Sequence, residues 1–260
     1  EKANIQGLES SGDALLFKSP NPPYTNITTG NVEGKVIFYY FKDEKCSKCK
    51  DLGFLTTQLR VAGVYISEVR NITAGSEEGK KIAGKYGIDF APTILLSDQA
   101  KFYPAITGLW PQLGTIENDG YYVLRLISPP FMNLTTGQLR GLVDISYLTD
   151  KSCTECYDVS LHRLILTNPQ SFAMTPQNEE TIDISDAQGR ELVAKYNISK
   201  VPTVILSSEA KVYPSAEGLN EFFSIEKDGS YVFRSVQLLG TYKDLALNQV
   251  VKVQQVEENN

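Results

Sequence analysis

Histidine is almost missing from this chain: His162 is the single imidazole among 260 residues. With no second histidine and no dense carboxylate cluster, a hydrolytic metal centre lacks its usual ligands. Basic charge is also short, with 25 Lys and Arg against 31 Asp and Glu and a formal net charge of −6. A protein that holds nucleic acid electrostatically carries a basic face, so that class is excluded. Long apolar runs are missing too. The best stretch, residues 36–41 (VIFYYF), has the length of a buried strand and falls far short of the roughly 18 residues that read as a membrane span. The chain opens at Glu1, with neither a methionine nor a charged-then-apolar leader. It is read as a trimmed product from which a signal peptide or anchor has been removed. Cysteine is scarce: Cys46, Cys49, Cys153 and Cys156 are all there is, and each belongs to a C-x-x-C. None is left to cross-link distant loops as a small secreted scaffold requires.

What is present is a duplication. Asn26-Ile27-Thr28-Thr29-Gly30 recurs as Asn133-Leu134-Thr135-Thr136-Gly137, and Cys46/Cys49 recurs as Cys153/Cys156, both with a shift of 107 residues (133 − 26 = 107). Lys85-Tyr86-Gly87-Ile88 matches Lys195-Tyr196-Asn197-Ile198, and Ala91-Pro92-Thr93 matches Val201-Pro202-Thr203. Further on, Lys101-Phe102-Tyr103-Pro104 matches Lys211-Val212-Tyr213-Pro214, and the Asn118-Asp119-Gly120 turn matches Lys227-Asp228-Gly229. Colinear matches of this kind mark a tandem repeat. A fainter copy at the start places the strand-like Ala14-Leu15-Leu16-Phe17 and a Pro-rich turn ahead of the first Asn-x-Thr-Thr-Gly. Each domain is therefore expected to open with such a strand and turn, giving domains at 1–115 and 116–260.

The elements expected in each copy alternate. Residues 35–41 form a buried strand, Leu52, Leu55 and Leu59 recur at helical spacing after Cys49, and residues 64–66 form a second strand. Ser76-Glu77-Glu78 opens a helix that Gly87 stops. Residues 93–96 are a strand and Asn118-Asp119-Gly120 a hairpin turn. Copy two repeats the series: strand 142–148, a helix from Cys156 to about Leu166, strand 181–184, helix 187–196 and strand 203–206. Residues 242–256 are expected to close the fold as a helix that frays into 257–260. The fold class is α/β, each domain a central mixed β-sheet flanked by helices.

Disulfide exchange needs an accessible low-pKa thiolate and a second thiol that can displace the mixed disulfide. A C-x-x-C with its first cysteine at a helix N-terminus supplies both. The competing reading is half of a four-cysteine zinc site, whose two knuckles lie about 15–20 residues apart. Here the pairs are far more widely separated, and each follows an apolar strand, so the redox reading is preferred and no metal is assigned.

With Cys46-Ser47-Lys48-Cys49 followed by Ala91-Pro92-Thr93, and Cys153-Thr154-Glu155-Cys156 by Val201-Pro202-Thr203, the chain resembles the thioredoxin superfamily. Its tandem organisation is similar to that of archaeal protein disulfide oxidoreductases and protein disulfide isomerases. The resemblance implies that Cys46 and Cys153 are the attacked or attacking sulfurs and that Cys49 and Cys156 resolve. It also implies that Pro92 and Pro202 are cis, with the backbone of Ala91 and Val201 pairing with an extended substrate. The implied partners are protein or peptide thiols and disulfides and a redox partner protein, with no cofactor beyond the cysteines. Many relatives place a buried acid six residues before the first cysteine; here Tyr40 and Tyr147 stand there, and Asp43 and Asp150 lie only three residues before it. Lys45 and Lys48 flank the first pair while Glu155 sits inside the second, so Cys46 is expected to be the more acidic thiol. His162 is assigned to the surface or a helix cap, Tyr103 and Trp110 to core packing, and Asn26 and Asn133 to local turn bonds. An extracytoplasmic or secretory location is favoured, with the cytoplasm as alternative. The rival function is a non-enzymatic binding module for a protein partner or a soft metal ion.

Overall fold

The structure is a computed structural model and describes residues 8–11, 13–17, 20–126 and 128–253; the end expected to fray lies outside these. The chain divides into two compact units. The first runs to Ile127 and takes in Met132–Gln138, and the second comprises Ser128–Phe131 and the chain from Leu139 onward.

The apolar run of the first unit becomes β1 (Val36–Lys42). Its side chains alternate between two cores, which is why nearly every one is apolar. Val36 and Phe38 pack with Ile94 and Leu96 on one face, and Tyr39 and Phe41 with Ile72, Leu95 and Val123 on the other. The chain continues through α1 (Leu55–Val61), β2 (Ile66–Thr73), α2 (Glu77–Tyr86), β3 (Phe90–Ala91), β4 (Thr93–Leu96), α3 (Pro104–Leu113), β5 (Gly114–Ile116) and β6 (Tyr122–Leu124), then the short strand β7 (Phe131–Asn133). The sheet order is β2-β1-β4-β6-β5, with β1 and β2 parallel and the other neighbours antiparallel. Helix α2 starts where expected: Ser76 Oγ accepts from Gly79 N at 2.9 Å, satisfying one of the orphan donors of the first turn. Gly87 ends it at φ 59°, the left-handed conformation that favours glycine.

The second unit repeats the series as β8 (Leu142–Thr149), α4 (Leu161–Thr167), β9 (Thr175–Asp183), α5 (Ala187–Lys195), β10 (Lys200–Val201), β11 (Thr203–Leu206), β12 (Phe223–Ile225) and β13 (Tyr231–Phe233). Its sheet order is β9-β8-β11-β13-β12. The repeated side chains of the sequence make repeated contacts. Tyr103 donates to Gly34 O and Tyr213 to Gly141 O, each at 2.6 Å, and both rings are buried. Arg125 bridges Tyr86 O and Glu117, and Arg234 bridges Tyr196 O and Glu226. Trp110 is buried, as assigned.

Three expectations are corrected. The boundary at 115/116 falls inside the β5–β6 hairpin, whose strands complete the first sheet. The strand read as opening the second domain thus belongs to the first. The closing helix is instead a hairpin, β14 (Tyr242–Asp244) with β15 (Gln249–Val251). Its turn is built by Asp244, whose carboxylate accepts from the N–H groups of Ala246 and Leu247. Asn26 does the same for Thr28 and Thr29, and Asn133 for Thr135 and Thr136. The C-terminal hairpin is therefore a third copy of the Asn-x-Thr-Thr-Gly turn, with Asn248 at φ 49° where the other two have Gly30 and Gly137. Finally, neither helix begins at its cysteines. Asp51 Oδ1 accepts from Gly53 N and Asp158 Oδ1 from Ser160 N, and these local turns hold the chain out of the helix until Leu55 and Leu161.

Candidate functional site

In each unit the first long strand ends immediately before an aspartate that shapes the loop carrying the cysteines. Asp43 Oδ1 accepts from Lys45 N at 2.8 Å, and Cys46 N donates to Asp43 O at 3.1 Å. Asp150 Oδ1 accepts from Ser152 N at 2.8 Å, and Cys153 N donates to Asp150 O at 2.9 Å. Each loop presents its pair as a disulfide: Cys46–Cys49 with S–S 1.96 Å and Cys153–Cys156 with S–S 2.03 Å. All four cysteines are half-buried. Because α1 and α4 start well beyond the pairs and span seven residues each, the expected stabilisation of a thiolate at a helix N-terminus is not built here.

The X-Pro-Thr turn lies against the second cysteine of each pair. Ala91–Pro92 and Val201–Pro202 are cis. Cys49 Sγ is 3.7 Å from Ala91 O, and Cys156 Sγ is 3.9 Å from Val201 O. The threonine that follows each proline is a clamp: Thr93 Oγ1 donates to Leu124 O at 2.8 Å and Thr203 Oγ1 to Phe233 O at 2.7 Å, both buried. The sequence thus brings Cys46, Cys49, Ala91 and Pro92 into one site and Cys153, Cys156, Val201 and Pro202 into a second.

The backbone edge beside each proline is not open. Ala91 is in register with Met132 of β7, and Leu134 N donates to Asp89 O. Antiparallel pairs alternate between hydrogen-bonded and non-bonded positions. Two residues on from the Leu134–Asp89 bond, Ala91 and Met132 therefore exchange both backbone bonds. The second unit repeats this with Val201 opposite Lys243 and with Leu245 N donating to Ser199 O. The expectation that Ala91 and Val201 offer free backbone to an extended substrate is corrected: Met132 in the first unit and Lys243 in the second already use those groups.

The two sites differ in what surrounds them. Asp150 is buried, and its Oδ2 holds Lys243 Nζ at 2.6 Å. Burial pushes this carboxyl up, but the Lys243 ammonium and the Ser152 donors outweigh it and hold the group below its ordinary value. Asp183, also buried, accepts from Lys151 N and Ser185. Site one has Met132 where site two has Lys243, and its Asp43 is half-exposed. Glu155, expected to disfavour the Cys153 thiolate, forms an exposed ion pair with Lys252 at 2.5 Å.

A further pair belongs to site two alone. Tyr157 donates its hydroxyl to Pro202 O at 2.7 Å and lies 2.9 Å from His162 Nε2. A tyrosine has one O–H, so the His162 Nε2–H is the donor to the tyrosine oxygen. His162 is buried rather than superficial, and burial pushes it down to about 4. Tyr40 and Tyr147 pack as core residues: Tyr40 OH donates to Asp51 and Tyr147 OH to Glu179. Burial raises both phenols.

No family model and no curated protein matches the chain. Among solved structures it is similar to a thioredoxin from Thermus thermophilus, at 12% identity over 41% of this chain and 68% of that one, TM-score 0.21. It is also similar to the alkylhydroperoxide reductase AhpF from Enterococcus faecalis, at 18% identity over 66% of this chain and 81% of that one, TM-score 0.20. The N-terminal domain of the same Enterococcus faecalis reductase aligns at 16% identity over the same shares, TM-score 0.19. At these identities and scores the overlap itself decides nothing. What the two units share with each other is the strand order and an X-Pro-Thr turn beside each C-x-x-C.

Proposed function

We propose that the chain is a thiol–disulfide oxidoreductase with two redox sites, Cys46/Cys49 and Cys153/Cys156. The observation that carries this reading is the repeated placement of a half-buried C-x-x-C disulfide against the carbonyl before a cis proline. In each pair the first sulfur is the one attacked and the second is the leaving thiolate, which lies against Ala91 O or Val201 O. The sulfurs carry the two electrons, so the chemistry draws on no further cofactor.

The test is a redox titration of wild type, Cys46→Ser and Cys153→Ser against a dithiol buffer, read by mass after alkylation. The expected result is two reversible two-electron couples in wild type and one in each variant. Pairs that stay oxidised at every accessible potential, or that take up a stoichiometric soft metal on reduction without turning over thiols, would favour the binding-module reading.

A further inference from the structure

We propose that both redox sites exchange with low-molecular-weight thiols and disulfides, and that neither recognises an extended polypeptide by strand addition. This deepens the exchange reading and rests on it. A chain bound as an added strand gains its affinity from main-chain hydrogen bonds to an exposed edge. Beside the cysteines that edge is the N–H and C=O of Ala91 in one unit and of Val201 in the other. Met132 and Lys243 use both groups in the registers described above. The occupants are not accidental contacts, because each is the first strand of a hairpin whose tight turn is fixed by Asn133 or Asp244. The two hairpins occupy equivalent places although their sequences, Met-Asn-Leu-Thr-Thr-Gly and Lys-Asp-Leu-Ala-Leu-Asn, share only one residue. What survives between them is the turn geometry and the seat against the X-Pro residue.

A reactant that touches only sulfur does not need the edge. One thiolate RS⁻ attacks Cys46 Sγ, forming the RS–Cys46 bond as the Cys46–Cys49 bond breaks, and Cys49 leaves as a thiolate that takes up a proton. A second RS⁻ attacks the mixed disulfide, giving RSSR and a Cys46 thiolate that is protonated in turn. The two RS⁻ are oxidised to RSSR and the protein pair is reduced to two thiols. The same balance applies at Cys153 and Cys156, and the reverse direction uses RSSR as the oxidant.

The test compares two disulfides with the same leaving thiol on the reduced full-length protein. One is oxidised glutathione; the other is an unstructured peptide carrying one cysteine as its glutathione mixed disulfide. The expected result is rates within about threefold of each other, because two lost backbone hydrogen bonds are worth roughly tenfold or more to a site that reads the chain. A peptide advantage above about tenfold in the wild type overturns the proposal. Failure of both disulfides to react overturns the exchange reading itself, so the two outcomes are distinct. Met132→Pro, which removes the paired N–H, should create a peptide advantage at the first site while leaving the glutathione rate in place. Lys243→Pro should raise the peptide-to-glutathione ratio at the second site, where the glutathione rate itself also changes because the ammonium that holds Asp150 is lost with the N–H. Where a proline variant does not fold, Asn133→Ala or Asp244→Ala loosens the same hairpin through its turn. An unchanged peptide-to-glutathione ratio in every folded variant shows that the hairpins do not close the edge and overturns the proposal.

Discussion

Lys243 is tied to the second cysteine site twice: its backbone is paired with Val201, the residue before Pro202, and its ammonium sits 2.6 Å from the buried Asp150 carboxylate at the root of the Cys153 loop. One residue thus connects the proline turn to the cysteine loop. In the first unit Met132 holds the corresponding register opposite Ala91 and brings no charge to its loop.

Replacing Lys243 by Met copies the first unit into the second and leaves Asp150 buried without its cation. Breaking a buried pair costs about 3–5 kcal/mol, and the partial exposure of this ammonium places Lys243→Met toward the lower end. The Asp150 carboxyl is held below its ordinary value in the fold. Its contribution is therefore present above the unfolded carboxyl value of about 3.9 and is lost as pH falls through the folded one. Wild type and variant should differ most near neutrality and converge as pH falls below about 3.9 and through the lower folded value of Asp150. Hydrogen exchange of β8 and β11 reads the second unit, while fluorescence of Trp110, the single tryptophan, reads the first and should not move. An equal loss at every pH would show that packing, not the ion pair, is at stake.

The order of the sulfurs is open to a trapping experiment. Cys49 and Cys156 face the carbonyl oxygens of Ala91 and Val201, so Cys46 and Cys153 are the ones expected to meet a reactant. With oxidised glutathione, Cys49→Ser should accumulate a stable adduct on Cys46, and Cys156→Ser one on Cys153. In Cys46→Ser and Cys153→Ser the remaining sulfur should react at least about tenfold more slowly, because access limits exchange. Equal rates in the two members of either pair would remove the assignment of roles.

How much of this was legible in the sequence follows from what each residue's neighbours decide. The duplication, the strands and the α2 cap depend on local pattern, and Ser76, Gly87 and residues 36–41 announce them. The cysteine loops misled because Leu52, Leu55 and Leu59 do recur at helical spacing, while the competing bond from Gly53 N to Asp51 is invisible to periodicity. The C-terminal hairpin misled for a longer-range reason. Its turn replaces Asn by Asp and Gly by Asn, and its first strand is stabilised by Val201, some forty residues away in sequence. The Asp150–Lys243 pair spans a still wider gap, and no local signal joins those two residues.

Thr93 and Thr203 follow the two prolines and give their hydroxyls to Leu124 O and Phe233 O. Valine has nearly the same shape and leaves each carbonyl buried without that donor, so Thr93→Val and Thr203→Val should each cost about 1–3 kcal/mol. Each loss should be confined to its own unit, since the repeats make the same bond separately. Urea unfolding followed by Trp110 fluorescence should register Thr93→Val alone. A response to Thr203→Val in that signal would mean that the units unfold together.

His162 supplies a second pH dependence, in a window that Asp150 does not occupy. Burial pushes the imidazole down to about 4 in the folded unit, against about 6.5 in the unfolded chain. A base whose folded value is depressed binds its proton in the unfolded state first. Stability is therefore intact above about pH 6.5 and declines as pH falls toward about 4, by a total of about 3 kcal/mol. Leucine stands at the matching place in the first copy, as Leu55, so His162→Leu is a substitution the fold already tolerates. That variant should flatten the decline between about pH 6.5 and 4 while keeping the carboxylate-driven fall below it. Tyr157 retains its bond to Pro202 O in His162→Leu, so the Cys153/Cys156 couple measured at pH 7, where the imidazole is neutral, should stay in place. A shift of that couple together with an unchanged pH profile would move His162 out of the core role and into the redox chemistry.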